Sequence, residues 1–237
     1  MEVLTCFAVS EAELGVTEIA QMLKMNKSTV FNTLLTLAQC GILVKNPISN
    51  KYYPSLFMLR LSHNAVVRSG VRNIFGSYLN TLMQRTRKVC SYVILDRSQV
   101  LCVLSTSPEG YPQEESFPGQ STPLYCSSAG KIFLAYMSDD ALDAALSMPM
   151  TGYTSLTISD PGILRQMLPD IREQGYAIDN MEHTYGMRSV AIPLFDTAHE
   201  VHAAICVSSP TTHFSLETIA ETARIAEETF RPLQGRL

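Results

Sequence analysis

The sequence contains no apolar run that approaches the roughly 20 residues needed to span a membrane. Its N-terminus has neither the basic start nor the apolar core of a signal peptide, so we expect a cytoplasmic protein with no membrane partner. The six cysteines are scattered, with no CxxC pair and no cluster of histidines. This spacing predicts reduced, mostly buried thiols, with no metal site, no disulfide framework and no cofactor.

Several catalytic motifs are also missing, among them GxSxG, HExxH and GxGxxG. The segment SSAGKI at 127–132 fails as a phosphate loop, because Tyr125 replaces the required glycine and Ile132 replaces the required Ser or Thr. Ser128-x-x-Lys131 matches the SxxK motif of penicillin-binding enzymes, but neither SDN nor K[ST]G follows it. A serine acyl-transfer or hydrolytic enzyme using this motif therefore remains only the alternative function.

Acidic residues are absent between positions 24 and 60, although the whole chain has a net charge of −4. The five cations of this stretch are Lys24, Lys27, Lys45, Lys51 and Arg60. An acid-free basic stretch on an acidic protein indicates a local nucleic-acid footprint. A merely solvated face is the alternative explanation of the same charges.

The same stretch predicts two closely joined helices. Val16, Ile19, Ala20 and Leu23 recur at helical spacing, with Thr17 placed to cap the first helix. A second helix begins at the N-cap Asn26, carries an apolar face of its own and stops at Gly41. The apolar run 42–44, the turn cluster 46–50 and then Lys51-Tyr52-Tyr53 predict a β-hairpin.

Helix, turn, helix and hairpin in this order predict a winged helix-turn-helix. The second helix exposes Lys27, Ser28, Thr29 and Asn32, which suit the start of a recognition helix in the major groove. Lys51 lies on the wing, against phosphate, and Thr17 completes the predicted contacts to double-stranded operator DNA. Two alternatives stay open: a three-helix structural module, and a sensor whose winged helix binds protein.

The rest of the chain predicts a second domain. An apolar stripe follows helical spacing from Val71 to Met83, comprising Val71, Ile74, Phe75, Tyr78, Leu79, Leu82 and Met83. We predict a winged helix-turn-helix domain over 1–57, a linker helix over 58–71 and an effector-binding domain over 72–237. Strands are predicted at 89–95, 100–105, 176–180, 189–195 and 202–208, and helices at 128–137, at 139–147, after Pro161 and after Ser215. This pattern favours an α+β fold with an antiparallel sheet.

The small residues and hydroxyls at 127–130 predict a helix N-terminus. Free N–H groups and the positive end of the helix dipole there suit a carboxylate, so we expect a small organic acid as ligand. The alternative is that Ser127 or Ser128 only caps its own helix.

Five segments spread over essentially the whole chain follow a known order and spacing: LGVTEIAQMLKMNKSTVFNTLLTLAQCGIL, NKYY, PLYCSSAGKIFLAYM, IREQGYAIDNMEHTYGMRSVAIPLFD and HAAICVSSP. In these segments the chain resembles transcriptional regulators of the isocitrate lyase regulator (IclR) family. The resemblance implies a winged helix joined by a linker helix to a GAF-like α/β effector domain. It also implies a ligand-responsive DNA-binding regulator rather than an enzyme, working as a homodimer that often pairs into a dimer of dimers.

The resemblance also implies an effector site. Ser128 and Ala129 would offer backbone N–H groups to a ligand carboxylate. The other implied contacts are Ser208, Cys206, Asp179 and Ser189, the last two at the opposite end of the ligand. Three positions depart from the family: Cys206 is commonly serine, Ser189 is commonly cysteine, and Asn32 is typically arginine. Since asparagine prefers adenine edges, the last departure changes the expected operator sequence.

Overall fold

The computed structural model describes residues 1–8, 10, 12–68, 70–110 and 116–236. The chain divides into two compact units, Met1–Ser69 and Gly70–Leu237, each with its own apolar core. No described helix is long and apolar enough to cross a membrane. Within the same residues, no group of three or more His, Cys, Asp and Glu side chains is arranged to hold a metal ion.

The first unit combines helices with a small hairpin. Its elements are α1 (Glu2–Ala8), α2 (Val16–Leu23), α3 (Lys27–Gln39), β1 (Leu43–Lys45), β2 (Tyr52–Pro54) and α4 (Phe57–Arg68). Strands β1 and β2 pair antiparallel, with Val44 opposite Tyr53. The order of helix, helix and hairpin confirms the predicted winged helix-turn-helix.

Helix α2 begins two residues earlier than a Thr17 cap would place it. Its N-cap is Gly15, whose N–H donates to Glu18 Oε2 at 2.8 Å. Glu18 makes this bond because a glutamate at the third helical position reaches back to the N-cap N–H. Thr17 therefore lies inside the helix with an exposed side chain, and the prediction that it caps α2 is wrong.

Helix α3 begins and ends where the sequence predicts. Asn26 is its N-cap, and Asn26 Oδ1 accepts the Ser28 N–H at 2.9 Å. At the other end Gly41 has a φ of 73°, in the left-handed region that favours glycine. Val30 and Leu34 are fully buried in the core of this unit. They orient α3 so that its first turn faces outward.

The second unit is built on one sheet. Its elements are α5 (Val71–Thr86), β3 (Val89–Asp96), β4 (Gln99–Thr106), β5 (Ser121–Pro123), α6 (Ser128–Tyr136), α7 (Asp139–Leu146), α8 (Pro161–Gln174), β6 (Ala177–Asn180), β7 (Met187–Phe195), β8 (Val201–Pro210) and α9 (Ile219–Phe230). The strand order is β5-β4-β3-β8-β7-β6, and every neighbouring pair is antiparallel. The predicted α+β fold with an antiparallel sheet is confirmed.

Side chains alternate between the two faces of this sheet. On β7, Val190 and Ile192 join the core shared with α5 and α9, whereas Ala191 joins the core shared with α6, α7 and α8. Helices therefore cover both faces. Ser189 has the same alternation as Ala191, so this serine faces α6.

Two details differ from the sequence-based predictions. Strand β5 was not predicted, because three residues ending in a proline carry no alternation pattern. Ile74 is 44% exposed, while Phe75, Leu79 and Leu82 are buried. The buried stripe of α5 is thus narrower than predicted, since only one side of the helix meets the sheet.

Candidate functional sites

The first turn of α3 gathers most of the predicted DNA contacts. Lys27, Ser28, Thr29 and Asn32 are all exposed on this helix. Thr17 is exposed near the start of α2, one element earlier in the chain. Sequence reasoning overlooked Phe31, which is 46% exposed beside Asn32. An apolar ring on a recognition helix suits the methyl group of thymine.

The wing lysine is paired with an acid. Lys51 Nζ lies 2.5 Å from Glu18 Oε1, and each of these side chains is 41% exposed. The hydrogen bond from Lys51 lowers the pKa of Glu18. Sequence reasoning missed this partner because Glu18 precedes the acid-free stretch, 33 residues from Lys51.

A second carboxylate holds the turn of the hairpin. Glu13 accepts hydrogen bonds from Asn46 Nδ2 at 2.7 Å and from Ser49 Oγ at 2.6 Å. These two hydrogen bonds lower the pKa of Glu13. The wing is therefore braced against the helical part of its unit by two acids.

The second unit encloses a cavity of about 460 Å³. All six predicted effector contacts line it, namely Ser128, Ala129, Asp179, Ser189, Cys206 and Ser208. Three of them form a row across neighbouring strands, because Asp179 pairs with Ser189 and Ser189 pairs with Ser208. Directly paired residues of antiparallel strands project to the same face. The sheet thus supplies one polar row facing α6.

The start of α6 meets this row. Ser128 Oγ lies 2.7 Å from Ser189 Oγ and 3.4 Å from Cys206 Sγ. Ser189 is therefore at the same end of the cavity as Ser128, and the expectation that it faces the opposite end is wrong. The packing of α6 on β7 brings the two serines together, although 61 residues separate them in the chain.

Ser127 caps α6 and leaves the N–H groups of the next two residues free to bind a ligand. Ser127 Oγ accepts the Gly130 N–H at 3.1 Å and donates to the Pro123 carbonyl at 2.7 Å. The N–H groups of Ser128 and Ala129 have no acceptor within the helix, because the first turn of any α-helix leaves its N–H groups unpaired. Both readings of this segment thus apply, to different serines: Ser127 is the cap and Ser128 faces the cavity.

One hydroxyl in the cavity lacks a partner. Ser208 is 9% exposed, and its Oγ has no hydrogen-bond partner among the described residues. Leaving a buried hydroxyl unpaired costs about 1–3 kcal/mol, so such an atom marks a place where a ligand or water binds.

A buried ion pair lies behind the cavity wall. Lys131 Nζ is 2.5 Å from Glu182 Oε1, with the two side chains 2% and 7% exposed. The Glu182 N–H donates to Asp179 Oδ1 at 2.7 Å. Burial raises the pKa of Asp179 to about 6, an effect that this hydrogen bond opposes. Because Lys131 is bound to Glu182, it is not a free amine that activates Ser128, which argues against the Ser128-x-x-Lys131 enzyme.

Sequence reasoning missed several further polar residues of the cavity lining. Ser116 Oγ donates to Ser91 Oγ at 3.1 Å and lies 3.6 Å from Cys102 Sγ. Gln120 and Thr122 line the same region. Their positions follow from strand pairings that no local pattern reveals, so the only local signal was the short polar run Gln120-Ser121-Thr122.

Comparisons with known proteins agree with this architecture. The family described as "Bacterial transcriptional regulator IclR C-terminal" matches residues 63–233, and "IclR helix-turn-helix domain" matches residues 1–47. The HTH-type transcriptional regulator BhcR of Paracoccus denitrificans (strain Pd 1222) is 35% identical over 218 residues, which cover 91% of this chain and 77% of BhcR.

Two solved structures share the fold. An IclR family transcriptional regulator from Brucella abortus has a TM-score of 0.83 at 23% identity, covering 98% of this chain and 88% of that chain. An IclR homolog complexed with 4-hydroxybenzoate from Microbacterium hydrocarbonoxydans has a TM-score of 0.70 at 21% identity, covering 98% and 97%.

A winged helix followed by a ligand-sized cavity defines a DNA-binding transcriptional regulator of bacterial type. The chain belongs to the IclR family. The names of its relatives, among them BhcR, KdgR and IclR, are likewise those of transcriptional regulators.

Proposed function

We propose that this regulator changes its affinity for operator DNA when a small organic acid binds in the cavity of its second unit. The observation that carries the proposal is the unpartnered Ser208 Oγ beside the start of α6. Together with the N–H groups of Ser128 and Ala129 it forms a set of donors for which the described part of the chain provides no acceptor. Carboxylate oxygens are acceptors only, so they complement such a set.

The electrostatics of the cavity suit a carboxylate bound without a counter-ion. None of the described lining residues is a lysine or arginine. A helix N-terminus carries a partial positive charge and can hold an anion through its N–H groups. The homologue from Microbacterium hydrocarbonoxydans is complexed with an acid, 4-hydroxybenzoate, which is consistent with this class of ligand.

For DNA recognition we propose that α3 enters the major groove, with Lys27, Ser28, Thr29 and Asn32 at its leading end. Thr17 on α2 and Lys51 on the wing then contact phosphate, Lys51 by exchanging Glu18 for the nucleic acid. We assign residues 1–57 to DNA binding, 58–71 to a linker helix and 72–237 to effector binding. Operator DNA is chromosomal, so we place the protein in the cytoplasm.

We also propose a homodimer, with two dimers pairing on longer operators. None of the described residues of α4 is buried, and Leu59, Leu61 and Val67 are 64%, 45% and 52% exposed. A helix with this apolar surface gains from pairing with a second copy. A two-fold operator also needs two recognition helices. Light scattering at micromolar concentration should give twice the chain mass, and a monomer that binds DNA singly would contradict the dimer.

The effector site is tested by Ser208→Ala in the full-length chain. Losing one hydrogen bond to a charged acceptor should weaken acid binding about 10- to 150-fold, equivalent to about 1.5–3 kcal/mol. Calorimetry with a panel of aliphatic, keto and aromatic acids measures this loss. DNA affinity without ligand should be unchanged, as it should be in the control Ser98→Ala, which removes an exposed turn hydroxyl. Equal acid binding by Ser208→Ala and the parent would refute the site.

A further inference from the structure

Two segments without regular structure meet beside the cavity of the second unit. Residues 151–157, between α7 and α8, are called the strap, and residues 181–186, which join β6 to β7, are called the cavity loop. Three residues of the cavity loop, His183, Thr184 and Tyr185, line the cavity. The described lining contains no residue of the strap. Any influence of the strap on a bound molecule must therefore pass through the cavity loop.

Two threonines of the strap hold the backbone of the cavity loop. Thr157 Oγ1 donates to the Glu182 carbonyl at 2.6 Å. Thr154 Oγ1 donates to the Met181 carbonyl at 2.7 Å. Thr157 Oγ1 also accepts the N–H groups of Tyr153 and Thr154 at 3.0 and 2.9 Å. A single hydroxyl thus folds the strap and fastens it to the cavity loop.

The strap also contacts two side chains of the cavity loop. The Ser155 N–H donates to Tyr185 Oη at 2.8 Å, and Tyr185 Oη donates to Ser155 Oγ at 3.0 Å. The ring centroids of Tyr153 and His183 lie 4.9 Å apart, within the range of favourable ring contacts. Two of the three loop residues that line the cavity are therefore oriented by residues that do not line it.

The backbone of the cavity loop is strained where the loop begins. Met181 has a φ of 61°, in the left-handed region that residues with a Cβ rarely adopt. Such a conformation persists only where surrounding contacts hold it. One of these contacts is the hydrogen bond from Thr154 to the Met181 carbonyl. On the side of α6, Glu182 is bound to Lys131. The cavity loop is thus held by an ion pair from α6 and by two threonines from the strap.

We propose that Thr154 and Thr157 are positioning residues of the effector site, which hold the cavity loop against a bound acid without touching the acid themselves. Removing either hydroxyl should let the cavity loop leave its position more often, so a bound acid should dissociate faster. The association rate should change little, because a displaced loop does not obstruct entry. The inference rests on the proposed acid-binding function and adds residues outside the cavity to those that determine acid affinity.

The variants Thr157→Val and Thr157→Ser test this role in the full-length protein. Valine keeps nearly the same shape without the hydroxyl, whereas serine keeps the hydroxyl. Hydrogen exchange without acid, read by mass spectrometry, should be faster at residues 181–186 in Thr157→Val and like the parent in Thr157→Ser. The control is Thr81→Val, which removes an exposed hydroxyl that donates to the Ser77 carbonyl at 2.9 Å on α5. It should leave exchange at residues 181–186 unchanged.

Acid binding is the second measurement. The probes are 4-hydroxybenzoate, 2-oxobutanoate and hexanoate, an aromatic, a keto and an aliphatic acid. Thr157→Val and Thr154→Val should each weaken the probe that the parent binds most tightly by about 2- to 10-fold, the range for one neutral hydrogen bond. Surface plasmon resonance should place this loss in the dissociation rate constant, and Thr157→Ser should restore it. DNA affinity without acid should equal that of the parent.

Four results would overturn the inference while leaving the acid-binding function in place. The first is unchanged exchange at residues 181–186 in Thr157→Val. The second is faster exchange there with unchanged acid affinity. The third is faster exchange throughout the second unit, which would make Thr157 a support of the whole fold. The fourth is equal weakening by Thr157→Ser, which would assign the effect to packing rather than to the hydroxyl. If the parent binds none of the three acids, the proposed function fails and the inference falls with it.

Discussion

Two lysine–glutamate pairs in this protein have the same N···O distance, 2.5 Å, in opposite surroundings. Lys51 and Glu18, in the DNA-binding unit, are each 41% exposed. Lys131 and Glu182, behind the cavity, are 2% and 7% exposed. The distance is therefore a poor guide to what each pair does.

Exposure to solvent determines how much each ion pair contributes to stability. An exposed pair contributes about 0–1 kcal/mol, because water competes for both charges. Removing one partner of a buried pair costs about 3–5 kcal/mol, because the other charge remains without compensation. Lys51 can thus exchange its carboxylate for a DNA phosphate at little cost. Lys131 cannot leave Glu182, so that pair fixes the wall of the cavity.

The largest effect is expected for Lys131→Met. It should lower the free energy of unfolding of the second unit by about 3–5 kcal/mol, because Glu182 is left buried and unpaired. Thermal and urea unfolding of the full-length protein measure this change. The matched control Lys51→Met should lose no more than about 1 kcal/mol. The double variant Lys131→Met/Glu182→Leu should recover most of the lost stability. Similar losses for Lys131→Met and Lys51→Met would contradict the difference between the buried and the exposed pair.

The acid beside the buried pair should make stability depend on pH. The pKa of Asp179 rises from 3.8 in a model peptide to about 6 in the fold, so the folded state binds this proton more tightly. Its contribution is fully present below about pH 4 and is lost as pH rises through about 6. The parent should therefore lose up to about 3 kcal/mol relative to Asp179→Asn across this window.

Denaturant unfolding at several pH values measures the difference between the parent and Asp179→Asn. Asparagine keeps an oxygen that can accept the Glu182 N–H, so the variant tests charge with little change of shape. Asp170→Asn, on the exposed side of α8, is the control. A difference between the parent and Asp179→Asn that does not change with pH would show that Asp179 does not titrate there.

In the DNA-binding unit we expect a loss of DNA affinity whose size depends on the salt concentration. Lys27→Glu combined with Lys51→Glu should weaken DNA binding about 100-fold near 0.1 M salt and flatten the log–log salt slope by about 1.8. Fluorescence anisotropy on the promoter region beside the protein's own gene measures both quantities. Acid binding should be unchanged, because the cavity uses no exposed cation. An unchanged slope would remove these lysines from the DNA contacts.

The smallest expected effect is a gain in DNA affinity. Glu18→Gln removes the competitor for Lys51, so DNA affinity should rise about 2- to 5-fold, within the energy of one exposed pair. Stability should change by less than about 1 kcal/mol. Glu217→Gln, an exposed acid of the second unit, is the control for net charge. Weaker DNA binding by Glu18→Gln would mean that the Lys51 pair positions the wing rather than restrains it.

The winged helix was predictable because its signals are local. Asn26 and Gly41 mark the ends of α3 within one stretch of chain, and the hairpin follows directly. Thr17 was misjudged because glycine at position 15 leaves no side-chain signal, while Glu18 supplies the cap from inside the helix. All strands of the second unit except β5 were also predictable to within a few residues at each end, since antiparallel strands longer than β5 alternate clearly.

For the cavity, several lining residues were predictable but their arrangement was not. Resemblance to a family supplied Ser128, Asp179 and Ser208, but their arrangement depends on which strands become neighbours. The pairing of Asp179 with Ser189, and the ion pair between Lys131 and a loop residue 51 positions away, leave no periodic trace in the sequence. The DNA contacts and the effector contacts are predictions that the variants above test.

The strand order also indicates which part of the cavity can change over evolution. Among the described strands, β5 lies at one edge of the sheet and pairs only with β4, so Thr122 can be replaced with little disturbance to other strands. Ser189 and Ser208 lie on β7 and β8, which have neighbours on both sides. A lineage that meets a new nutrient, or an engineer who builds a biosensor, can therefore replace Thr122 while keeping Ser189 and Ser208, which belong to the proposed acid site.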